Sequence, residues 1–333
     1  MTAFALEAGM HLICGEALYD LFVDEGETGS TGEVRLKAVA GGSPFNVAVG
    51  MARLGVQVGF ASDLARDFLG DRIAAQLTTE GVANQFLRRS AVITALAIIA
   101  TDDLGKPRYS FSGLDQALYY PVGEVIDQVE DKIEGVHLGS IATVLPNSAR
   151  PLLCLAHRFA DRALISFDPN VRLSVVPERA TWHGAIEDLR PLCHVIKVSE
   201  EDIALLYGDA DPDAICRAWL NDRTALVVLT RGSQGASLFT HAAGCVEIPP
   251  ADTVVVDTVG AGDSFMAAML SMLTQERWVS SAAIASLNAK QLFALGSFAV
   301  GAAGVTCSRR GPILPTSLEL EALTRCSIDG ADV

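Results

Sequence analysis

From Val136 onward the chain alternates short apolar runs with amphipathic stretches: Val136 to Gly139, Ala149 to Arg158, Ala163 to Phe167, Trp182 to Leu189, His194 to Val198, Glu200 to Tyr207, Ala225 to Leu229. Strand-length runs separated by helix-length stretches make βαβ crossovers, and crossovers force neighbouring strands to run parallel. Met10 to Cys14 and Val56 to Ala61 read as further strands, Val47 to Leu54, Phe68 to Glu80 and about Ala282 to Val300 as helices, the last followed by Gly301 to Gly304, and Cys326 to Val333 as a loose tail. The pattern predicts an α/β fold with a mostly parallel central sheet. At 333 residues, 50% of them hydrophobic, the chain can bury one large core or two small ones. No linker, repeat or low-complexity segment divides it, which favours a single domain over residues 1–333.

Two stretches fall outside this rhythm. Between Thr28 and Val39 β-branched residues alternate among glycines, and Val92 to Thr101 turns at Asp103 to Lys106 into Pro107 to Ser112, as a hairpin does. Residues of about 16–40 and 91–115 are therefore expected to form a small β-sheet of their own, suited to act as a lid.

In open α/β sheets ligands bind beyond the carboxyl ends of the strands, so the polar residues found there carry the functional reading. Asp20 follows the first strand and can accept hydrogen bonds from hydroxyls, although a solvated loop acid reads the same way. Gly41-Gly42-Ser43-Pro44-Phe45-Asn46 precedes a helix; the glycines let backbone lie against a ligand, and Asn46 offers a donor and an acceptor. Asp168-Pro169-Asn170-Val171-Arg172, Lys197-Val198-Ser199-Glu200-Glu201-Asp202 and Thr230-Arg231-Gly232-Ser233 end three later strands. Several such ends at one edge argue for a site more strongly than any one of them.

The most informative stretch is Asp257-Thr258-Val259-Gly260-Ala261-Gly262-Asp263-Ser264, between the β-branched run Thr253 to Val256, read as a strand, and the helical pattern Phe265 to Leu273. The first N–H groups of a helix lack intrahelical partners and favour an anion. A carboxylate at Asp263, beside that anion site, suits a reaction in which a proton must be removed. A Walker A loop is excluded because no lysine follows Gly262, and a Rossmann fingerprint fits poorly because its third glycine position is Phe265. An ordinary turn with Asp263 as a capping group remains open on this stretch alone.

The formal net charge of −15 argues against nucleic acid or an anionic membrane as the main partner. No apolar run reaches membrane-spanning length, and Met1 to Ile13 lacks the marks of a signal peptide, which points to the cytoplasm. The 7 cysteines are scattered without a C-x-x-C pair, so reduced thiols are expected, and His11, His137 and His194 fit structural roles in or beside strands better than catalytic ones.

The two glycine motifs together resemble those of the ribokinase-like, or phosphofructokinase-B type, carbohydrate kinases, closest to the fructokinases. The early motif, G-G-x-x-x-N-V-A-x-x-x-A-R-L-G, is Gly41 to Gly55, and the late one, D-T-x-G-A-G-D, is Asp257 to Asp263. The resemblance implies a three-layer α/β/α sandwich with a small β lid and transfer of the γ-phosphate of ATP to a sugar hydroxyl. By similarity Asp263 is the catalytic base, and Gly260, Ala261 and Gly262 form an anion hole with it. Asp20, Gly41, Gly42, Asn46, Arg108, Asp168, Asn170 and Arg172 would line the sugar site; Lys197, Ser199, Thr230, Gly232 and Asn288, with Gly260 and Gly262, would line the ATP site. Magnesium would accompany ATP, with Asp202 reaching it through water, although the chain has Ser199-Glu200-Glu201-Asp202 where much of the family has N-x-x-E. Asp257 would contribute to a potassium site. Pro107 to Phe111, with Asp115 beyond, and Gly139-Ser140-Ile141 resemble fructokinase segments and favour fructose, phosphorylated at its 6-hydroxyl. 2-Keto-3-deoxygluconate, for which Arg108 or Arg172 would meet the carboxylate, is the alternative, followed by ribose or a nucleoside. A non-catalytic sugar- or nucleotide-binding regulator is the reading from another class. Family members pair through such lids, so a homodimer is a further expectation.

Overall fold

The computed structural model describes residues 9–24, 33–101, 107–114, 127 and 130–322. In chain order the elements are β1 (Met10–Cys14), β2 (Leu18–Asp24), β3 (Arg35–Gly41), α1 (Ser43–Arg53), β4 (Val58–Ala65), α2 (Phe68–Thr79), β5 (Leu87–Ser90), β6 (Leu96–Thr101) and β7 (Pro107–Ser112). They continue with β8 (Ile133–Gly139), α3 (Ala149–Phe159), β9 (Leu164–Asp168), α4 (Arg179–Leu189), β10 (Val195–Ser199), α5 (Glu200–Tyr207), α6 (Pro212–Trp219) and β11 (Leu226–Thr230). Last come β12 (Ala236–Thr240), β13 (Gly244–Ile248), α7 (Ala261–Gln275), α8 (Ser281–Ala285) and α9 (Ala289–Cys307).

A nine-stranded sheet, ordered β13-β12-β11-β10-β9-β8-β1-β4-β5, runs through the molecule. It is parallel from β5 to β11, and only β12 and β13 are antiparallel. Its inner strands, from β4 to β12, are buried on both faces, which is why they read as apolar runs rather than alternating ones, whereas the edge strands β5 and β13 are partly exposed. Helices α3, α4, α5 and α6 pack on one face, where Trp182, Leu155 and Phe159 join Leu12, Val136 and Phe167. Helices α1, α2, α7, α8 and α9 cover the other, where Phe45, Met266 and Leu295 join Ile13, Phe60 and Val228. A four-stranded sheet, β3-β2-β6-β7, stands apart, built from two stretches of chain that interrupt the βα rhythm. Parallel pairing of β2 with β6 joins those stretches, at Tyr19↔Leu96 through Phe22↔Ile99.

Several expectations need correction. Thr253 to Val256 is not a strand: Val254 is 82% exposed, and Val256 N–H bonds the Cys307 carbonyl rather than a ladder partner. β-branching therefore misled there, since propensity for strands is only fit to a half-buried pleated surface. The helix expected at Ala282 to Val300 is two helices, broken at Asn288. There the Asn288 side chain accepts the Gln291 N–H and the Gln291 side chain accepts the Asn288 N–H, a reciprocal cap that restarts the chain as α9. Gly301 to Gly304, expected to follow that helix, lie inside α9. Helix α1 starts at Ser43 rather than Val47, because Pro44 is already shaped for a first helical turn. The expected tail from Cys326 lies outside the described residues.

The two glycines at the turn into α7 differ in what the fold asks of them. Gly260 adopts φ 80°, and a Cβ there would lie 2.7 Å from Pro312 Cβ. At Gly262 a Cβ would meet only Lys197 Nζ, at an ordinary 3.5 Å. Glycine at 260 is thus required by the fold, whereas at 262 the fold leaves room. Gly260→Ala is predicted to cost at least about 1–2 kcal/mol of stability. Gly262→Ala should leave it unchanged or raise it by up to about 1 kcal/mol. Urea denaturation of the two variants measures the contrast.

Candidate active site

At the carboxyl edge of the central sheet, between it and the smaller sheet, lies a cleft of about 650 Å³. Asp20 of β2, Ile99 of β6 and Phe111 of β7 line one side; Asn170, Arg172 and Ser140 line another; Gly42, Ser43, Asn46, Gly260, Gly262 and Asp263 form its floor. Ser140 (φ 57°) and Asn170 (φ 42°) hold left-handed backbone conformations that non-glycine residues rarely adopt, and both face the cleft.

The floor is made by the first turns of two helices. Asp263, 8% exposed, lies in the first turn of α7. Its Oδ1 accepts the Ser43 hydroxyl at 2.6 Å and its Oδ2 accepts Asn46 Nδ2–H at 2.8 Å, both donors lying in the first turn of α1. The first turn of α1 holds no acid of its own, so Asp263 supplies from across the fold the negative charge that a helix N-terminus favours. Gly42, φ 104°, brings the chain into α1 close under Glu16, whose carbonyl oxygen would lie 2.8 Å from any Cβ at position 42. Gly41 likewise leaves room for the Asp20 carboxylate, which a Cβ would crowd at 2.4 Å.

Below the cleft is a dry ion pair. Lys197 Nζ lies 2.9 Å from Asp168 Oδ2, with the side chains 4% and 1% exposed. Burial alone would discharge the lysine, but Asp168, and beyond it Asp202 and Asp263, raise its pKa above the ordinary value. Asp168 is pushed up to about 6 by burial, with Lys197 pulling the other way. Asp168 does not line the cleft, so the structure brings it to the site only as the partner of Lys197. His137 sits beside this pair, paired with Ser166 Oγ at 3.0 Å and lowered to about 3 by burial, and His11 pairs with Thr274 at 2.8 Å. These histidines are buried and neutral, as expected of structural ones.

Acids dominate the lining. Among the described side chains Glu16, Asp20, Glu201 and Asp263 face the cleft against the single cation Arg172, whose Nη1–H also bonds the Val171 carbonyl at 2.9 Å. Burial, with the Asp263 charge adding, pushes Asp20 up to about 7. Burial likewise pushes Glu16 to about 7, despite hydrogen bonds from Ser140 and from the Ala142 N–H at 3.3 Å. Glu16, Ser43 and Glu201 were not singled out from sequence. An acid and a serine in otherwise apolar or glycine-rich segments at strand and helix ends were the available signals.

The remaining residues lie elsewhere. Ser199 and Thr230 are partners at the ends of β10 and β11, with Gly232 in the next turn, all near the carboxyl edge but not on the cleft wall. Ser199 caps α5: its hydroxyl bonds Asp202 Oδ2 at 2.6 Å and accepts the Asp202 N–H at 3.0 Å. Asp202 also accepts the Ser199 and Val171 N–H groups, at 3.0 and 2.7 Å, so both its oxygens are spent on the fold and it is 4% exposed. The carboxylate thus accepts three hydrogen bonds within the protein, one on Oδ1 and two on Oδ2. Asp257 joins two loops by accepting the Val259 N–H at 3.1 Å and the Gly311 N–H at 2.8 Å. Asn288 is spent on capping α9. Arg108 lies on β7 opposite Ala100, with its side chain outside the described set, as is the whole of Asp115. The one group of possible metal ligands among the described residues, Asp213, Cys245 and Glu247, is crossed by the Arg231 guanidinium, which pairs with both acids.

The raised Asp20 makes stability depend on pH. The folded state holds its proton up to about 7, whereas the unfolded chain releases it near 3.8. The contribution is therefore complete below 3.8 and lost as pH rises through about 7. Between pH 6 and about 8.5 the wild type should lose more melting temperature than Asp20→Asn, which cannot ionise. Equal losses in the two proteins would contradict the burial of this charge.

Comparison with known proteins agrees with the geometry. Residues 10–318 match the family described as pfkB family carbohydrate kinase. A fructokinase of Rhizobium leguminosarum bv. trifolii is 30% identical over 285 residues, covering 85% of each chain. The crystal structure of a fructokinase with bound ATP from Xylella fastidiosa superimposes with a TM-score of 0.84 at 25% identity, over 96% of this chain and 98% of that one. A Vibrio cholerae O395 fructokinase in its fructose, ADP and calcium ion bound form shares the fold, with a TM-score of 0.77 at 24% identity over 94% of this chain and 98% of that one. With its ribokinase-like fold and both glycine motifs meeting at one cleft, the chain belongs to the pfkB family of carbohydrate kinases.

Proposed function

We propose that this sugar kinase transfers the γ-phosphate of MgATP to the 6-hydroxyl of fructose, with Asp263 as general base. The observation that carries the reading is the Asp263 carboxylate, buried at the cleft floor, held on both oxygens by Ser43 and Asn46 and adjoining the glycine-lined start of α7. As the sugar oxygen attacks phosphorus, its proton passes to Asp263, the bond from phosphorus to the β–γ bridging oxygen breaks, and ADP leaves. Little covalent chemistry falls to the protein in such a transfer; it positions the reactants and stabilises charge. Gly260 and Gly262 line the cleft and would offer their N–H groups to the transferred group, whereas the Ala261 N–H expected to join them is taken by the Thr258 carbonyl at 3.2 Å; Lys197 adds a buried positive charge beneath. Magnesium arrives as part of the nucleotide substrate, and Asp202, which already accepts three hydrogen bonds within the protein, would reach it through water.

Fructose is favoured by relatives named fructokinase and by the cleft's charge, with four acids facing one cation among the described side chains. Asp20 and Asn46 suit hydroxyls, and the smaller sheet is placed to serve as a lid, excluding water from the transfer. Arg172 alone favours an anionic sugar acid such as 2-keto-3-deoxygluconate, and it faces Glu16 and Asp20 across the same cleft.

ADP release with MgATP should be fastest with fructose in a panel with 2-keto-3-deoxygluconate, ribose, adenosine and glucose. Asp263→Asn should keep the fold while lowering turnover by roughly 10² to 10⁴. Near-normal turnover in that variant would remove Asp263 from the role. A faster reaction with the sugar acid would transfer the assignment to the anionic substrate.

A further inference from the structure

Ser43 is the part of the cleft floor that no motif accounts for. It opens α1, is 7% exposed, and donates its hydroxyl not to its own helix terminus but to Asp263 Oδ1, at 2.6 Å and 220 residues away in sequence. Its backbone is fixed on both sides, by Gly42 at φ 104° and by the ring of Pro44. The hydroxyl is therefore delivered to one place. A carboxylate held by a single donor can still turn about its terminal torsion, which is broad. Two donors on different oxygens, Ser43 on Oδ1 and Asn46 on Oδ2, set the plane of the group. Asn46 lines the cleft and has its own amide to offer a sugar hydroxyl. If it turns to the sugar, Ser43 is the donor that stays.

We propose that Ser43 is a positioning residue for phosphoryl transfer: it orients the Asp263 carboxylate and stabilises its charged form, while making no contact the sugar requires for binding. The inference rests on Asp263 being the base. A short hydroxyl-to-carboxylate bond is of the charge-assisted kind, stronger than one between neutral groups. Other charged groups bear on the same carboxylate: Glu16 and Asp20 from the segment around β2, Asp168 at the end of β9 and Lys197 of β10. Among the described residues the side-chain hydrogen bonds to the Asp263 oxygens come from Ser43 and Asn46, and none of these acids duplicates them.

The test is steady-state kinetics with MgATP and fructose on Ser43→Ala, Ser43→Thr, Asp263→Asn and the double variant Ser43→Ala/Asp263→Asn, with melting temperatures alongside. Ser43→Ala should lower kcat about tenfold to a hundredfold, the worth of one charge-assisted hydrogen bond. The KM for both substrates should stay within about twofold. Ser43→Thr, which keeps the hydroxyl, should recover most of the rate. In the Asp263→Asn background, Ser43→Ala should change the residual rate by no more than about twofold, since the group it acts through is gone. Wild-type kcat in Ser43→Ala would overturn the proposal. So would an equal loss in both backgrounds, which is the mark of a merely structural role. If Ser43→Ala fails to fold, Ser43→Cys, of similar size but a weak donor, must show the same kcat loss, and wild-type kcat there would overturn it. High turnover in Asp263→Asn would remove the base reading and this one with it, whereas an inactive Asp263→Asn beside a fully active Ser43→Ala removes this one alone.

Discussion

One carboxylate joins the first turns of two helices. Asp263 belongs to α7 but takes its hydrogen bonds from Ser43 and Asn46 of α1, so the segments that carry the two glycine motifs are fastened at the point where chemistry is proposed. Each helix N-terminus brings unpaired N–H groups and a partial positive charge, and an aspartate between them is electrostatically welcome to both. The arrangement depends on backbone shapes that only glycine takes easily. Gly42 admits α1 beneath the Glu16 carbonyl, and Gly260 admits α7 against Pro312. Gly262, by contrast, leaves an open space above Lys197, suited to close approach of a ligand.

Charge is managed in two layers around this point. Facing the cleft, Glu16 and Asp20 sit near Asp263, and burial raises both to about 7, so they resist ionising together near a third carboxylate. Beneath it, Lys197 is the buried cation among Asp168, Asp202 and Asp263, and those acids hold it charged in a dry environment. On the proposed function, a neutral polyol would enter such a cleft without meeting like charge, and the phosphate end of a nucleotide would be served by helix termini and the buried lysine. Substrate charge and site charge would then be matched at opposite ends of one reaction.

Much of the fold could be read in the chain because local and tertiary demands agree there. Met10 to Cys14 and Glu200 to Tyr207 coincide with the observed strand and helix, and the departures of Pro107 to Ser112 and the stretch before Gly41 from the βα rhythm correspond to a separate sheet. Where they disagree the reading failed. Val254, Val255 and Val256 have strand-like side chains but no partner strand, and Asn288 ends one helix and starts another through side-chain bonds that periodicity does not see. In the site, Asp20, Gly42, Asn46, Asn170, Arg172, Gly260, Gly262 and Asp263 meet at one cleft. Ser199, Asp202 and Asn288 cap helices and Asp168 pairs with Lys197, uses that the sequence leaves undistinguished from ligand contacts because the same polar groups serve both. Ser43 and Glu16 were hidden for the opposite reason. Their roles come from contacts with Asp263 and with the Ser140 to Ala142 turn, far away along the chain.

The most direct measurement is a crystal structure of the protein with fructose and a non-hydrolysable ATP analogue. The account predicts the fructose 6-hydroxyl within about 2.6–3.2 Å of an Asp263 oxygen and in line with the γ-phosphorus, itself facing the N–H groups of Gly260 and Gly262. A sugar bound in the cleft with no hydroxyl in hydrogen-bonding reach of Asp263, or a γ-phosphate seated away from the start of α7, would contradict it.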